Sequence, residues 1–287
     1  MNSARQTFRI LALTVGLCVA WALVARVLPR PELAETNYEA NRLRIERWLL
    51  DPPASHVLVG TSIGGRLLPT YFQGTGLSNF ANLGLDGANP ATGLELVLAR
   101  STAPEVVFLE IHRLAADLGA NDQKLLEYAR GFGLTATKLF PLTRAEYRPS
   151  SVLYGWLKSR QSGGAGGDPR PADSTNQPFA PGTQAPAWVG RIEPLVRAVE
   201  AKGSRVVLVR LPVGRENPAN ADASNFGDQA AAWLKVPLAD LYRLTTKAGE
   251  PISYTDGLHL TPAGAATVAK WLARAAHSTN SVERGPL

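Results

Sequence analysis

Three side chains in this sequence are of the right types to pass a proton between them. Ser62 sits in Gly60-Thr61-Ser62-Ile63-Gly64, directly after a short apolar run. A serine at a tight strand-to-helix turn is lifted out of a sheet, and flanking glycines permit the close backbone geometry. The N-terminus of a following helix would also lower the energy of a negative charge formed there. Near the other end stands Tyr254-Thr255-Asp256-Gly257-Leu258-His259, then Thr261-Pro262. Asp256 and His259 are three residues apart, so one turn can bring carboxylate to imidazole. The aspartate would then hold one ring nitrogen protonated and leave the other as a base. Thr261 and Pro262 read as the N-cap and first position of a helix, which would fix the loop carrying His259. Between these elements lies Asn82-Leu83-Gly84-Leu85-Asp86-Gly87-Ala88-Asn89. A glycine-loop amide there, with that of Ser62, could hold an oxyanion, and Gly84 is the candidate. Each segment also fits a plainer role: Ser62 as an N-cap, Asp256 as a turn cap, the glycines as an ordinary turn.

The elements that must position these residues alternate. Apolar, β-branched runs at 57–59, 79–83, 105–111, 205–211 and 236–241 read as strands. Helical patterns at 34–50, 90–100, 116–130, 188–202 and 223–233 lie around and between them. Such alternation implies an α/β fold with a parallel sheet covered on both faces. In that architecture ligands bind at the carboxyl ends of strands, where Ser62 and the Asn82–Asn89 loop fall. Residues 161–187 carry Gly163-Gly164-Ala165-Gly166-Gly167 and several prolines, a composition that packs no core, and read as an inserted loop, either a solvated linker or a lid. Residues 278–287 read as an unstructured tail.

The chain has 287 residues, 45% hydrophobic and 19% charged, enough to bury a sizeable core. Its net charge of +6 is spread along the chain, with no basic run and no aromatic interleaving, which argues against nucleic acid as a partner. The one cysteine, Cys18, allows no internal disulfide, and four scattered histidines give no metal site. No cofactor is implied. Residues 10–25 are uncharged and apolar, between Arg9 and Arg26. With those arginines snorkelling, residues 8–28 can cross a hydrocarbon core of ~30 Å. Ala20-Trp21-Ala22 would pass as a signal-peptidase site, but apolar residues continue to Leu28, and we read residues 1–30 as an uncleaved anchor. Residues 31–56 would connect it to a body at 57–277, held on the periplasmic or extracellular side.

On these motifs the chain resembles the SGNH or GDSL-like serine hydrolase superfamily over residues 57–275. Gly60-Thr61-Ser62-Ile63 stands where that family has its first block, Gly-Asp-Ser-Leu. Asn82-Leu83-Gly84 is similar to the second block, and Asp256-Gly257-Leu258-His259 matches the last, Asp-x-x-His, most specifically. The resemblance implies a three-layer α/β/α flavodoxin-like fold, preceded here by one transmembrane helix. It also implies a triad of Ser62, Asp256 and His259 acting on an acylated carbohydrate or lipid ester. The third block, Gly-x-Asn-Asp, is missing: the strand runs into Glu110-Ile111-His112-Arg113, so the donor its asparagine supplies must come from elsewhere, with His112 or Arg113 as candidates. Membrane-tethered relatives modify cell-surface polymers beside a multi-spanning acyltransferase, which is the partner expected here. A weak or inactive scaffold that binds glycan or that partner is the alternative reading. Gly60-Thr61-Ser62-Ile63-Gly64 also fits the Gly-x-Ser-x-Gly elbow of α/β-hydrolases, but that elbow follows several strands, whereas one precedes Ser62.

Overall fold

The computed structural model describes residues 2–28, 30–32, 34, 36–160, 186–214 and 219–282. Of the Gly/Pro-rich insertion, residues 161–185 lie outside these, as do residues 283–287 of the tail. In chain order the elements are α1 (Asn2–Val27), α2 (Asn37–Leu50), β1 (His56–Gly60), β2 (Phe80–Gly84), α3 (Pro90–Ala99), β3 (Val106–Glu110), α4 (Ala120–Arg130), α5 (Phe132–Leu139), α6 (Pro149–Arg160), α7 (Ala187–Ala201), β4 (Arg205–Arg210), α8 (Ala219–Leu234), β5 (Leu238–Asp240), α9 (Leu241–Ala248) and α10 (Pro262–Val282). The strands form one parallel sheet in the order β2-β1-β3-β4-β5. That is the flavodoxin-like order, whose switch point lies between β1 and β3.

The strands read as continuous apolar runs because both faces are covered. Along β1, Val57 and Val59 point into one core with Trp48 of α2, Leu94 and Val97 of α3, and Ile192 and Val196 of α7. Leu58, between them, joins a second core with Phe72, Phe108 and Val207, and with Val268 and Leu272 of α10. Period-two alternation of fully buried side chains therefore separates the two outer helical layers. Local signals set the helix starts. Asn89 Oδ1 accepts from the Ala91 N–H at 2.8 Å ahead of Pro90, and Thr261 Oγ1 accepts from the Gly264 N–H at 3.1 Å ahead of Pro262. The latter is the cap the sequence indicated.

Some elements depart from the reading by sequence. α2 is not a connector standing off the body. Ile45 and Trp48 are core residues, and Asn41, Arg42 and Glu46 are buried with them. Glu46 accepts from Arg42 at 3.0 Å and from the Ala145 N–H at 2.6 Å, and also from the Tyr128 hydroxyl. Burial, with the Glu46 carboxylate beside it, pushes that hydroxyl's pKa up to about 12. α10 continues through Val282, past the point where the tail was expected to begin. α5, α6 and α9 were not expected at all. α1 runs unbroken through Ala20-Trp21-Ala22. Its Ser3–Ala25 stretch, with mean hydropathy 2.1, is long and apolar enough to cross a membrane.

Candidate active site

The parallel register brings the chemistry to one edge of the sheet. Gly60 pairs with Gly84 at the ends of β1 and β2, so the loops that follow, carrying Ser62 and residues 85–89, leave the sheet side by side. The Ser62 turn is built on a buried acid. Glu110, the last residue of β3 and fully buried, accepts from the Thr61 N–H at 2.8 Å, the Thr61 hydroxyl at 2.8 Å and the Gly64 N–H at 3.0 Å. One carboxyl thus grips the chain on both sides of Ser62. Gly60 is required for this grip: a β-carbon there would stand 2.1 Å from Glu110 Oε2. Glu110 turns toward Thr61, and His112 Nδ1 lies 3.1 Å from Glu110 Oε1.

The His259 loop is fixed as firmly. An antiparallel bridge joins Tyr254 to Leu260, and the Thr255 N–H donates to the His259 carbonyl at 2.8 Å. Gly257 takes a φ of 76° at the turn, and its carbonyl accepts from the Gly214 N–H at 2.8 Å, tying this loop to the one after β4. Asp256 Oδ1 accepts from the backbone N–H of His259 at 2.7 Å and of Leu258 at 3.0 Å. Its Oδ2 lies 2.6 Å from His259 Nδ1. Burial alone would raise the Asp256 carboxyl, but the His259 N–H, the imidazole and the Leu258 N–H together outweigh it and hold the pKa below the usual carboxylate range. An ionised carboxylate only accepts, so Nδ1 carries the proton and Nε2 is left as the acceptor. Nε2 is 2.9 Å from Ser62 Oγ, across 197 positions of sequence. His259 and Asp256 keep 18% and 29% of their side chains exposed, so the cluster opens to solvent.

Gly84 does not fill the place expected of it. Its N–H already donates to Asn82 Oδ1 at 2.6 Å, while Asn82 Nδ2 reaches the carbonyls of Gly64 at 2.9 Å and Leu67 at 2.7 Å. The Gly84 carbonyl accepts from Arg44 of α2, which also holds Gly65 O at 3.2 Å and Asp86 Oδ1 at 3.1 Å. Arg44 therefore clamps the Ser62 and Asn82–Asn89 loops to each other. Two amides in these loops make no hydrogen bond among the described residues: those of Ser62 and of Gly87, whose φ of 70° is one that glycine tolerates.

Past β3 the chain is braced without a glycine. Arg113 adopts a φ of 59° and its carbonyl accepts from Asn89 Nδ2 at 2.9 Å. Asp122, near the start of α4, is buried. It accepts from the Asn89 N–H at 2.7 Å, the Thr92 hydroxyl at 2.6 Å and the Gly119 N–H at 2.7 Å. Arg113 is exposed and His112 is buried. Among the described residues neither side chain makes a hydrogen bond to Ser62 or His259. Trp188, which follows the Gly/Pro-rich stretch, is buried and packs on Phe226. The described residues hold no cluster of His, Cys, Asp and Glu able to bind a metal ion.

No protein-family model matches the chain, and no curated protein matches it. Among solved structures it is similar to a Bacteroides fragilis protein described provisionally as an acylhydrolase, at 17% identity. That overlap covers 90% of this chain and 95% of the other, with a TM-score of 0.38. It is also similar to the YxiM protein of Bacillus subtilis, at 16% identity over 80% of this chain and 57% of that one, with a TM-score of 0.38.

Proposed function

We propose that the protein is an SGNH-type serine esterase or O-acyltransferase. The observation that carries this reading is the contact of Ser62 Oγ with His259 Nε2 at 2.9 Å, on an imidazole whose Nδ1 is held by Asp256 at 2.6 Å. Ser62 Oγ attacks an ester carbonyl while its proton passes to His259 Nε2. Negative charge on the carbonyl oxygen is met by the Ser62 and Gly87 N–H groups, already free of other partners. The tetrahedral centre collapses, the ester C–O bond breaks, and Nε2 returns the proton to the leaving alcohol. The acyl group on Ser62 then passes to water or to a sugar hydroxyl, whose proton Nε2 accepts, and as the acyl–Oγ bond breaks Nε2 returns that proton to Ser62 Oγ. Asp256 keeps Nδ1 protonated throughout and stabilises the imidazolium.

The apolar α1 supports a membrane-anchored enzyme with its body outside the cytoplasm, acting on acyl esters of an envelope carbohydrate or lipid and working beside a multi-spanning acyltransferase. Trp21 strengthens the uncleaved reading: its indole N–H donates to the Tyr147 carbonyl at 2.6 Å, so the residue within the apparent cleavage site belongs to the body's packing. The test is intact mass after treatment with a fluorophosphonate. One adduct per chain is expected, and none on Ser62→Ala. An unlabelled wild-type chain would favour the scaffold alternative.

A further inference from the structure

Beside the anchor the body carries an apolar surface that its own fold leaves uncovered. Between α5 and α6 the chain turns at Phe140-Pro141-Leu142. Leu139 and Phe140 are each 66% exposed, and Leu153, Trp156 and Leu157 of α6 are exposed with them. Leu142 shares a groove of about 350 Å³ with Thr14, Val15, Cys18, Val19, Ala22 and Leu23 of α1. At ~1.5 Å per residue, Val19 lies ~9 Å and Thr14 ~16 Å inside the Ala25 end of the apolar stretch, and half of a ~30 Å hydrocarbon core is ~15 Å. If α1 crosses a bilayer, a residue packed against Thr14–Leu23 is at hydrocarbon depth. Solvent could not surround it.

From this juxtaposition we infer that the turn at residues 139–142 is immersed in the lipid leaflet on the body's side, as a second membrane attachment. The inference rests on the reading of α1 as a membrane span. The turn is suited to hydrocarbon in that several of its polar backbone groups bond locally. The Phe140 N–H donates to Ala136 O at 2.8 Å, the Thr143 N–H to Phe140 O at 2.9 Å and the Arg144 N–H to Pro141 O at 3.1 Å. The Thr143 hydroxyl also donates to Phe140 O, at 2.8 Å, and Pro141 has no N–H to satisfy. Charge agrees with lipid as the occupant at Lys138, because Arg130, Arg144 and Arg148 are already paired with Glu95, with Asp51 and Glu146, and with Glu39. Lys138 is exposed one residue before the apolar turn, where its stem can lie along the chains and its ammonium reach anionic headgroups. Held at two places, the body cannot swing about the anchor, so the Ser62 cleft keeps one height above the membrane.

The experiment uses three single-cysteine full-length proteins. These are the native chain with Cys18, and C18S chains carrying Phe140→Cys or Lys247→Cys, the last exposed on α9 beside the opposite sheet edge. Each is labelled with a thiol-reactive NBD dye and placed in phosphatidylcholine vesicles containing phosphatidylglycerol, with no other protein present. Nitroxides on the acyl chains are expected to quench the labels at positions 18 and 140 by at least about twofold and to leave position 247 unaffected. Quenching at 18 but not at 140 overturns the inference and leaves the anchor standing; the apolar face would then belong to a protein partner. No quenching at 18 overturns the anchor and the inference with it.

Discussion

Glu110 is the buried group on which the Ser62 turn depends, and replacing it should damage stability and reactivity together. Glu110→Ala leaves the Thr61 N–H, the Gly64 N–H and the Thr61 hydroxyl without their acceptor. An unmet buried donor costs about 1–3 kcal/mol, and water entering the vacated space would recover part of this, for a net loss of about 3–5 kcal/mol. Set against the ~5–15 kcal/mol of a whole domain, that is a large fraction. Ser62 lies between the two anchored residues, so its hydroxyl drifts when the grip is lost, and a displacement of ~1 Å costs on the order of 100-fold in rate. Glu110→Gln keeps one oxygen for both backbone donors and asks only the Thr61 hydroxyl to turn around, at about 1 kcal/mol. The assay pairs urea unfolding of the full chain in detergent, followed by tryptophan fluorescence, with the rate of fluorophosphonate labelling. The expected order is wild type, then Gln close behind, then Ala far below on both scales. An Ala variant equal to wild type would refute the role given to Glu110. A Gln variant as damaged as Ala would show that charge, rather than hydrogen bonding, holds the turn.

Asp256→Asn should lower the labelling rate by about 10³–10⁴-fold with little change in fold, because an amide no longer enforces the Nδ1–H tautomer. The same residue gives a pH dependence. Its folded pKa is depressed, so its stabilising contribution is complete above the unfolded value of ~3.9 and is lost as pH falls through the lower folded value. The urea midpoint of wild type should therefore drop more steeply below about pH 4 than that of Asp256→Asn, and parallel curves would contradict this. Arg44→Ala should loosen both site loops, since it removes donors to Gly84 O, Gly65 O and Asp86. A loss of about 2–4 kcal/mol and at least tenfold in labelling is expected, and an unchanged rate would remove Arg44 from loop positioning. Gly87→Ala meets no atom closer than 3.7 Å, so its cost is the φ of 70° alone, about 1 kcal/mol of stability. Turnover should fall more than that stability loss implies if the Gly87 N–H holds the oxyanion, and turnover equal to wild type would count against it.

What could be read from the sequence was whatever local pattern determines. The strands were found within a few residues because burial on both faces leaves continuous Val/Leu runs. The contact among Ser62, Asp256 and His259 is legible because a glycine-flanked turn and a three-residue spacing carry their local geometry with them. Glu110 was legible only in part: an acid at the end of a buried strand, opposite Gly60 and Gly64, signals a close approach, but its partners sit 46 and 49 positions away. The choice of Gly84 failed because only the folded loop shows that Asn82 consumes that amide. α2 reads as a connector because its Arg42–Glu46 pair, four residues apart, looks like one on a solvated helix, and the Tyr128 and Ala145 that bury it come from distant sequence. The burial of Asp122 is equally hidden in the sequence, because two of its donors, the Asn89 N–H and the Thr92 hydroxyl, arrive from about 30 positions away.

The central claim is that acyl groups pass through one hydroxyl, and it is tested most directly by rapid quenching with an activated acyl ester. Quenched protein would be digested and the acylated peptide located by mass. The account predicts one acyl group, on the peptide containing Ser62, in wild type and none in Ser62→Ala. Equal acylation of the two proteins, or an adduct on any other residue that turns over at the catalytic rate, would contradict it.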